Sequence, residues 1–169
     1  TIRPRRNRLD DWGRRLTAEN TLTTNDLILP LFLIDGKKKK EKIHSMPDVF
    51  RFSLDELLLQ IEKIVSSKIP AIALFPNVEN SLKDATGSEA LNPNGIIPKA
   101  ILAIKKEFPK LGVMTDIALD PYTSHGQDGL INQSGYVLND ETVEILKRQA
   151  LLHAEMGVDI VAPSDMMDG

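Results

Sequence analysis

The chain has 169 residues, of which 41% are hydrophobic and 27% charged, with a net charge of −3 and no cysteine. These figures suit one globular domain with a sizeable core and exclude disulfides, thiolate nucleophiles and sulfur-ligated zinc. No run approaches the ~20 apolar residues of a membrane span, and neither the charge nor any signal region points to a membrane or to secretion, so a cytoplasmic protein is expected.

The first 25 residues are basic. Arg3, Arg5, Arg6, Arg8, Arg14 and Arg15 lie among the first fifteen positions. They lack the series of interleaved aromatic platforms that nucleic-acid binding uses, which favours an arm packing on an acidic neighbour. Leu27–Ile34 reads as a strand, and Lys37-Lys38-Lys39-Lys40 with Lys42 as an exposed loop. A helix is expected to open at Ser53, with Glu56 completing a capping box and Phe52 and Leu57 a hydrophobic staple. Leu54, Leu57, Leu58, Ile61, Ile64 and Val65 recur at helical spacing. Ala71–Phe75 follows as a strand, then a helix from Ile97 to Glu107 bounded by Pro109, then a strand over Gly112–Asp120. A third helix is expected after Asn139, with Asp140 and Glu141 in its first turn and Gly157 as C-cap. Asp159–Pro163 reads as the last strand.

Strand and helix alternate, which implies parallel strands joined by helical crossovers. A doubly wound sheet would carry a glycine-rich phosphate turn after its first strand, and Asp35-Gly36-Lys37-Lys38 is not one. The expected fold is α/β, a (β/α)8 TIM barrel, in which chemistry gathers at the C-terminal ends of strands. Phe75, the stretch Asp116 to Asp120, and Ser164 fall there. Strands begin roughly forty to fifty residues apart, so eight such units would need about twice this length. The expectation is an N-terminal arm for subunit contacts over 1–25 and about the first four β/α units over 26–169.

Asp116, Ala118 and Asp120 occupy alternate positions of an apolar run, so they are expected to share one strand face while Thr115, Ile117 and Leu119 face a packing layer. Acids on a buried face need cations, donors or water. Asp120 and Asp128 could ligate a hard cation, contact substrate or relay protons; the lesser alternative is that they serve turns before Pro121 and at Asp128-Gly129. Asp116, on a straight strand, lies roughly 13 Å from Asp120. Ser164 is either a positioning hydroxyl or a loop cap. Phe75 is a pocket floor or a core residue, His125 reads as structural, and Tyr122 as loop packing.

The stretch Thr115-Asp116-Ile117-Ala118-Leu119-Asp120-Pro121-Tyr122-Thr123-Ser124-His125-Gly126-Gln127-Asp128-Gly129 closely resembles porphobilinogen synthase, that is 5-aminolevulinate dehydratase. So do Ala162-Pro163-Ser164-Asp165-Met166-Met167-Asp168-Gly169, Ser45-Met46-Pro47, Ala73-Leu74-Phe75-Pro76 and the arm's Arg3-Pro4-Arg5-Arg6 with Trp12. The resemblance spans essentially the whole chain and covers about the first half of such an enzyme. It implies condensation of two 5-aminolevulinate molecules to porphobilinogen for haem and other tetrapyrroles. It also implies an arm that wraps a neighbouring subunit, usually in a homo-octamer.

The family's two Schiff-base lysines belong to segments downstream of Ser164–Gly169, so this chain alone is expected to be inactive. None of Lys63, Lys68, Lys83, Lys99, Lys105, Lys106 or Lys110 looks like a substitute, because a Schiff-base lysine must be desolvated or set beside a cation. The resemblance gives Asp116 a supporting role beside a catalytic lysine or its imine. Asp120, Asp128, Ser164 and Phe75 become substrate-side residues. Zinc-using members carry cysteines where this chain has Ala118, Asp120 and Asp128. The chain therefore resembles the cysteine-free branch, for which Mg2+, with K+ as a second ion, is expected at Asp120 and Asp128 and zinc is not. Two other readings compete: a non-catalytic half-barrel binding or assembly module, and an unrelated Schiff-base aldolase barrel.

Overall fold

A computed structural model describes residues 1–169. Two short helices, α1 (Arg6–Leu9) and α2 (Asp11–Thr17), precede β1 (Ile28–Ile34), β2 (Lys40–Lys42), β3 (Phe50–Phe52) and α3 (Leu54–Ser66). β4 (Ala71–Asn77), α4 (Ile96–Glu107), β5 (Gly112–Ile117), α5 (Asn139–Glu155) and β6 (Ile160–Pro163) complete the order. The strands form one six-stranded sheet, β2-β3-β1-β4-β5-β6, in which only the β2–β3 pair is antiparallel.

Register assigns the two faces. Leu29, Leu31 and Leu33 align with Ile72, Leu74 and Pro76, and Ile72 and Leu74 in turn with Val113 and Thr115, on the face covered by helices. There α3 contributes Leu57 and Ile61, and α4 contributes Ile97, Ala100, Ile101 and Ile104, to one core cluster. The opposite face carries Ile28, Phe32, Phe75, Met114, Asp116 and Ile160, none of them fully buried. Successive parallel strands with α3, α4 and α5 all on one side is barrel winding rather than doubly wound packing. The sheet's other face is the concave one, and the Phe32 and Phe75 rings meet across it at 5.6 Å.

Three expectations need correction. The Lys37–Lys42 run is not all loop: Lys40–Lys42 is an exposed edge strand paired with β3. The capping box at Ser53 does not form. Ser53 Oγ instead accepts from the Lys39 amide at 2.9 Å and donates to Asp55 Oδ1 at 2.6 Å, because the β1–β2 connection lays Lys38 and Lys39 over the helix start. A capping box does occur in the arm's last turn, between Thr23 and Asp26. Finally, β5 ends at Ile117, since β6 runs out of ladder at Pro163, its partner there. The helix starts and the C-terminal stop of α5 agree with expectation; Gly157 takes φ 92°, a left-handed conformation costly for any side chain.

Candidate active site

The site lies where β5 and β6 end. Asp116 is the last inward-facing residue of β5 and is half-buried; it pairs in register with Ala162. Ser164, just past β6, donates its Oγ hydrogen to Asp116 Oδ1 at 2.6 Å. The structure thus joins two candidates 48 residues apart. Beyond Ile117 the chain leaves the ladder and turns: Tyr122 and Thr123 amides both donate to the Leu119 carbonyl at 2.9 Å. Leu119 and Ala118 are buried, Asp120 is exposed, and the following loop returns half-buried Asp128 toward both other acids.

The electrostatics follow from that gathering. Burial raises the Asp116 carboxyl above the ordinary value, the Ser164 hydroxyl partly offsets this, and the Asp128 charge raises it further. Asp120 is raised by desolvation, then by Asp128 and Asp116, with Lys83 the opposing cation. Because Asp120 is exposed, solvent screens much of this, whereas half-buried Asp116 is screened less. The turn after β5 brings Asp116 into the electrostatic reach of Asp120 and Asp128, which a straight strand does not anticipate. No group of three carboxylate or histidine side chains converges closely enough to hold a metal by itself.

Two loops lock together beneath the acids. The Asp84 carboxylate accepts from the backbone and hydroxyl of both Thr86 and Ser88, and its carbonyl accepts from the Ser124 amide at 2.8 Å. His125 Nδ1 accepts from the Gln127 amide, so Nε2 carries the proton and donates to the Ala85 carbonyl at 3.2 Å. His125 is therefore a loop strut, as expected, and Tyr122 is a buried packing residue whose hydroxyl burial pushes well up. Lys83 precedes the lock and is half-buried near Asp120. Sequence reasoning passed over Asp84; its Asp-x-Thr-x-Ser spacing, typical of a side chain capping its own turn, was the available signal. Phe75 lines the concave floor at the end of β4 and is only partly covered.

The comparisons agree with this geometry. The family model described as "Delta-aminolevulinic acid dehydratase" matches residues 1–169. The relative of that name from Bradyrhizobium diazoefficiens is 60% identical over 168 residues, covering 99% of this chain and 47% of its own length. The one from Chlamydia pneumoniae is 53% identical, covering 99% of this chain and 50% of its own. A crystal structure of porphobilinogen synthase from Toxoplasma gondii ME49, in complex with its reaction product porphobilinogen, superposes with a TM-score of 0.92 at 44% identity. It covers 100% of this chain, which in turn covers 48% of it. The chain thus spans about half the length of the curated relatives it matches. With the match running from Thr1 to Gly169, this chain belongs to the delta-aminolevulinic acid dehydratase family.

Proposed function

We propose that residues 1–169 belong to a lyase that condenses two 5-aminolevulinate molecules to porphobilinogen, losing two waters, in tetrapyrrole biosynthesis. The observation that carries this reading is the Asp116–Ser164 pair at the strand ends of a barrel-type sheet, in a chain that matches the family from end to end. In this reading the ketone-attacking lysines come from outside residues 1–169. Asp116, whose proton affinity burial raises, sits beside the amine or imine they form as a proton-transfer group. Ser164 fixes the Asp116 rotamer and leaves its second oxygen free to act. Asp120 and Asp128 face the substrate's ammonium group, for which an under-neutralised set of carboxylates is a suitable host. Phe75 and Phe32 floor the pocket.

The donor set also fits a hard cation. Asp120 and Asp128 are oxygen donors whose negative charge is opposed only by Lys83 nearby, and Mg2+ needs one or two carboxylates while it keeps its waters. With no third ligand gathered, these two would hold it, K+ being the alternative occupant, and the ion would supply positive charge beside the substrate. Softer zinc has no thiolate to bind here.

Residues 1–25 act as an assembly arm in this proposal. Leu9, Trp12, Leu16 and Leu22 are 63–79% exposed, and α1 and α2 pack mainly on each other. Such apolar side chains fit the surface of a neighbouring copy, with an octamer the assembly expected. No helix is long and apolar enough to cross a membrane, and a cysteine-free chain suits the cytoplasm.

The test is formation of porphobilinogen from 5-aminolevulinate by the whole protein, with and without Mg2+. Asp116→Asn should lower kcat by about 10²–10⁴-fold, and Asp128→Asn should weaken Mg2+ binding measured by calorimetry. Whole protein that makes no product under any ion condition overturns the reading. Clear turnover by residues 1–169 alone would overturn the placement of the nucleophiles.

A further inference from the structure

Directly behind the acids, between β5 and α5, lies a buried polar seam that plain packing does not require. Gln149 is 0% exposed, His153 1% and Thr115 0%. Gln149 and His153 sit one helical turn apart and so share the face of α5 that meets the sheet. His153 Nδ1 lies 3.0 Å from Thr115 Oγ1, on the residue preceding Asp116. Gln149 Nε2 donates to the Ala118 carbonyl at 3.3 Å. Ala118 is 3% exposed and lies beyond the last ladder pair, Ile117 with Pro163, so its carbonyl has no strand partner. Gln149 is what satisfies it. Meanwhile Gln149 Oε1 and His153 Nε2 have no hydrogen-bond partner at all. Leucine in either place would avoid those two orphaned atoms, so the donors kept toward β5 serve something other than burial.

We infer that Gln149 is a positioning residue for the candidate active site: its amide, arriving from α5, holds the Ala118 carbonyl and thereby sets where the chain carrying Asp120 departs from the strand carrying Asp116. The two acids flank Ala118, one on each side. A carbonyl released from Gln149 is left beside a mainly apolar layer, the second core cluster of Ile117, Leu119, Tyr122 and Leu146. It would rotate to find another donor, and the Asp120 side chain would move with it. The contact between His153 and Thr115 braces the same helix against the same strand one turn further along, fixing the register at Asp116.

This inference rests on the proposed function for its catalytic readout, and an independent readout separates the two. In the whole protein, Gln149→Leu keeps the volume and removes the donor; Leu146→Ala, on the same helix face, loosens the same layer while leaving the Gln149 donor in place. Gln149→Leu should lower kcat about tenfold or more with KM changed less than threefold, and backbone amide exchange at Leu119 and Asp120 should quicken about tenfold. Leu146→Ala should lower Tm while leaving kcat and the Leu119–Asp120 exchange ratio to neighbouring loops unchanged. Gln149→Glu guards against a leucine variant that does not fold: protonated, the introduced carboxyl donates to the Ala118 carbonyl and activity approaches wild type, and ionised it repels that carbonyl and activity falls as pH rises. Equal kcat and equal Leu119–Asp120 exchange in wild type and both Gln149 variants overturns the inference, as does an identical loss in Leu146→Ala. If the wild-type whole protein makes no porphobilinogen, the functional reading fails by itself and amide exchange still decides the role of Gln149.

Discussion

At the scale of single residues, the chain keeps three carboxylates closer together than its stability favours. Asp116 and Asp120 both bind protons more tightly folded than unfolded, so the folded state gains protons as pH falls and is penalised once both acids are ionised. That penalty is present above their folded pKa values and disappears below the unfolded value near 4. Asp128→Asn removes the repelling charge, so it should raise Tm at neutral pH by about 1–2 °C and lower the carboxyl pKa values of both partners in NMR titration. A drop in Tm with unchanged titrations would show that Asp128 is held by loop hydrogen bonds rather than tolerated against repulsion. Such stored electrostatic cost is what a binding site exhibits when its ligand is cationic. The Ser164 hydroxyl tempers it at Asp116 alone. Ser164→Ala should therefore raise the Asp116 pKa and leave Asp120 nearly where it was.

Helix α5 is the element that ties core to site. Its Leu146 joins Ile117, Leu119 and Tyr122 in the second cluster, and its Thr142 accepts from the Leu130 amide at 3.0 Å. Gly129 lies so close that an added Cβ would stand 2.8 Å from Thr142 Oγ1, which explains why glycine follows Asp128. Asn139, at the start of the helix, exchanges hydrogen bonds with the backbone of Asp168 at 2.8 and 2.9 Å and so steadies the segment after Ser164. Deeper in, burial holds the His153 imidazole neutral, pushed down from 6.5 to about 4. An unfolded chain takes up this proton below pH 6.5 and the folded chain does not until about pH 4, so stability is lost as pH falls through that window. The loss reaches about 3 kcal/mol. Urea unfolding at pH 7 and pH 4.5 should show it, and His153→Leu should flatten the difference. An equally steep loss in the variant would shift the cause to other groups. At the other end of the sheet, Ser53→Ala removes the hydroxyl joining Lys39 to Asp55 and should cost about 1–2 kcal/mol.

Across the whole molecule, helices cover one face of the sheet while the concave face displays Phe32, Phe75, Met114 and Ile160 beside the acids. Lys105 and Asp159 pin α4 to the start of β6 at 2.9 Å, and Asp159 also accepts from the Val113 amide at 2.8 Å. The strand starts are thereby tied by an ion pair, while the strand ends carry the polar groups of the candidate site. The arm stands apart from this body. Deleting residues 1–25 from the whole protein should leave its circular dichroism melt nearly unchanged and reduce its mass in light scattering to a smaller assembly. An unaltered mass would remove the arm from the subunit contacts.

Much of this protein is written locally. Alternating strand and helix signals, the acids opening α5, the glycine ending it and the face of α3 all act within a few residues, so periodicity and capping chemistry suffice to read them. The long motifs around Asp116 and Ser164 likewise point to the site, because residue types that a core cannot use cluster at strand ends. What local pattern cannot contain is the partner of a side chain. Ser53 binding Lys39 instead of Glu56, Ser164 finding Asp116, Gln149 reaching the Ala118 carbonyl and Asp128 coming back toward Asp120 are all outcomes of packing. Each was settled only when distant segments competed for the same donor or acceptor, and that competition is decided by tertiary geometry.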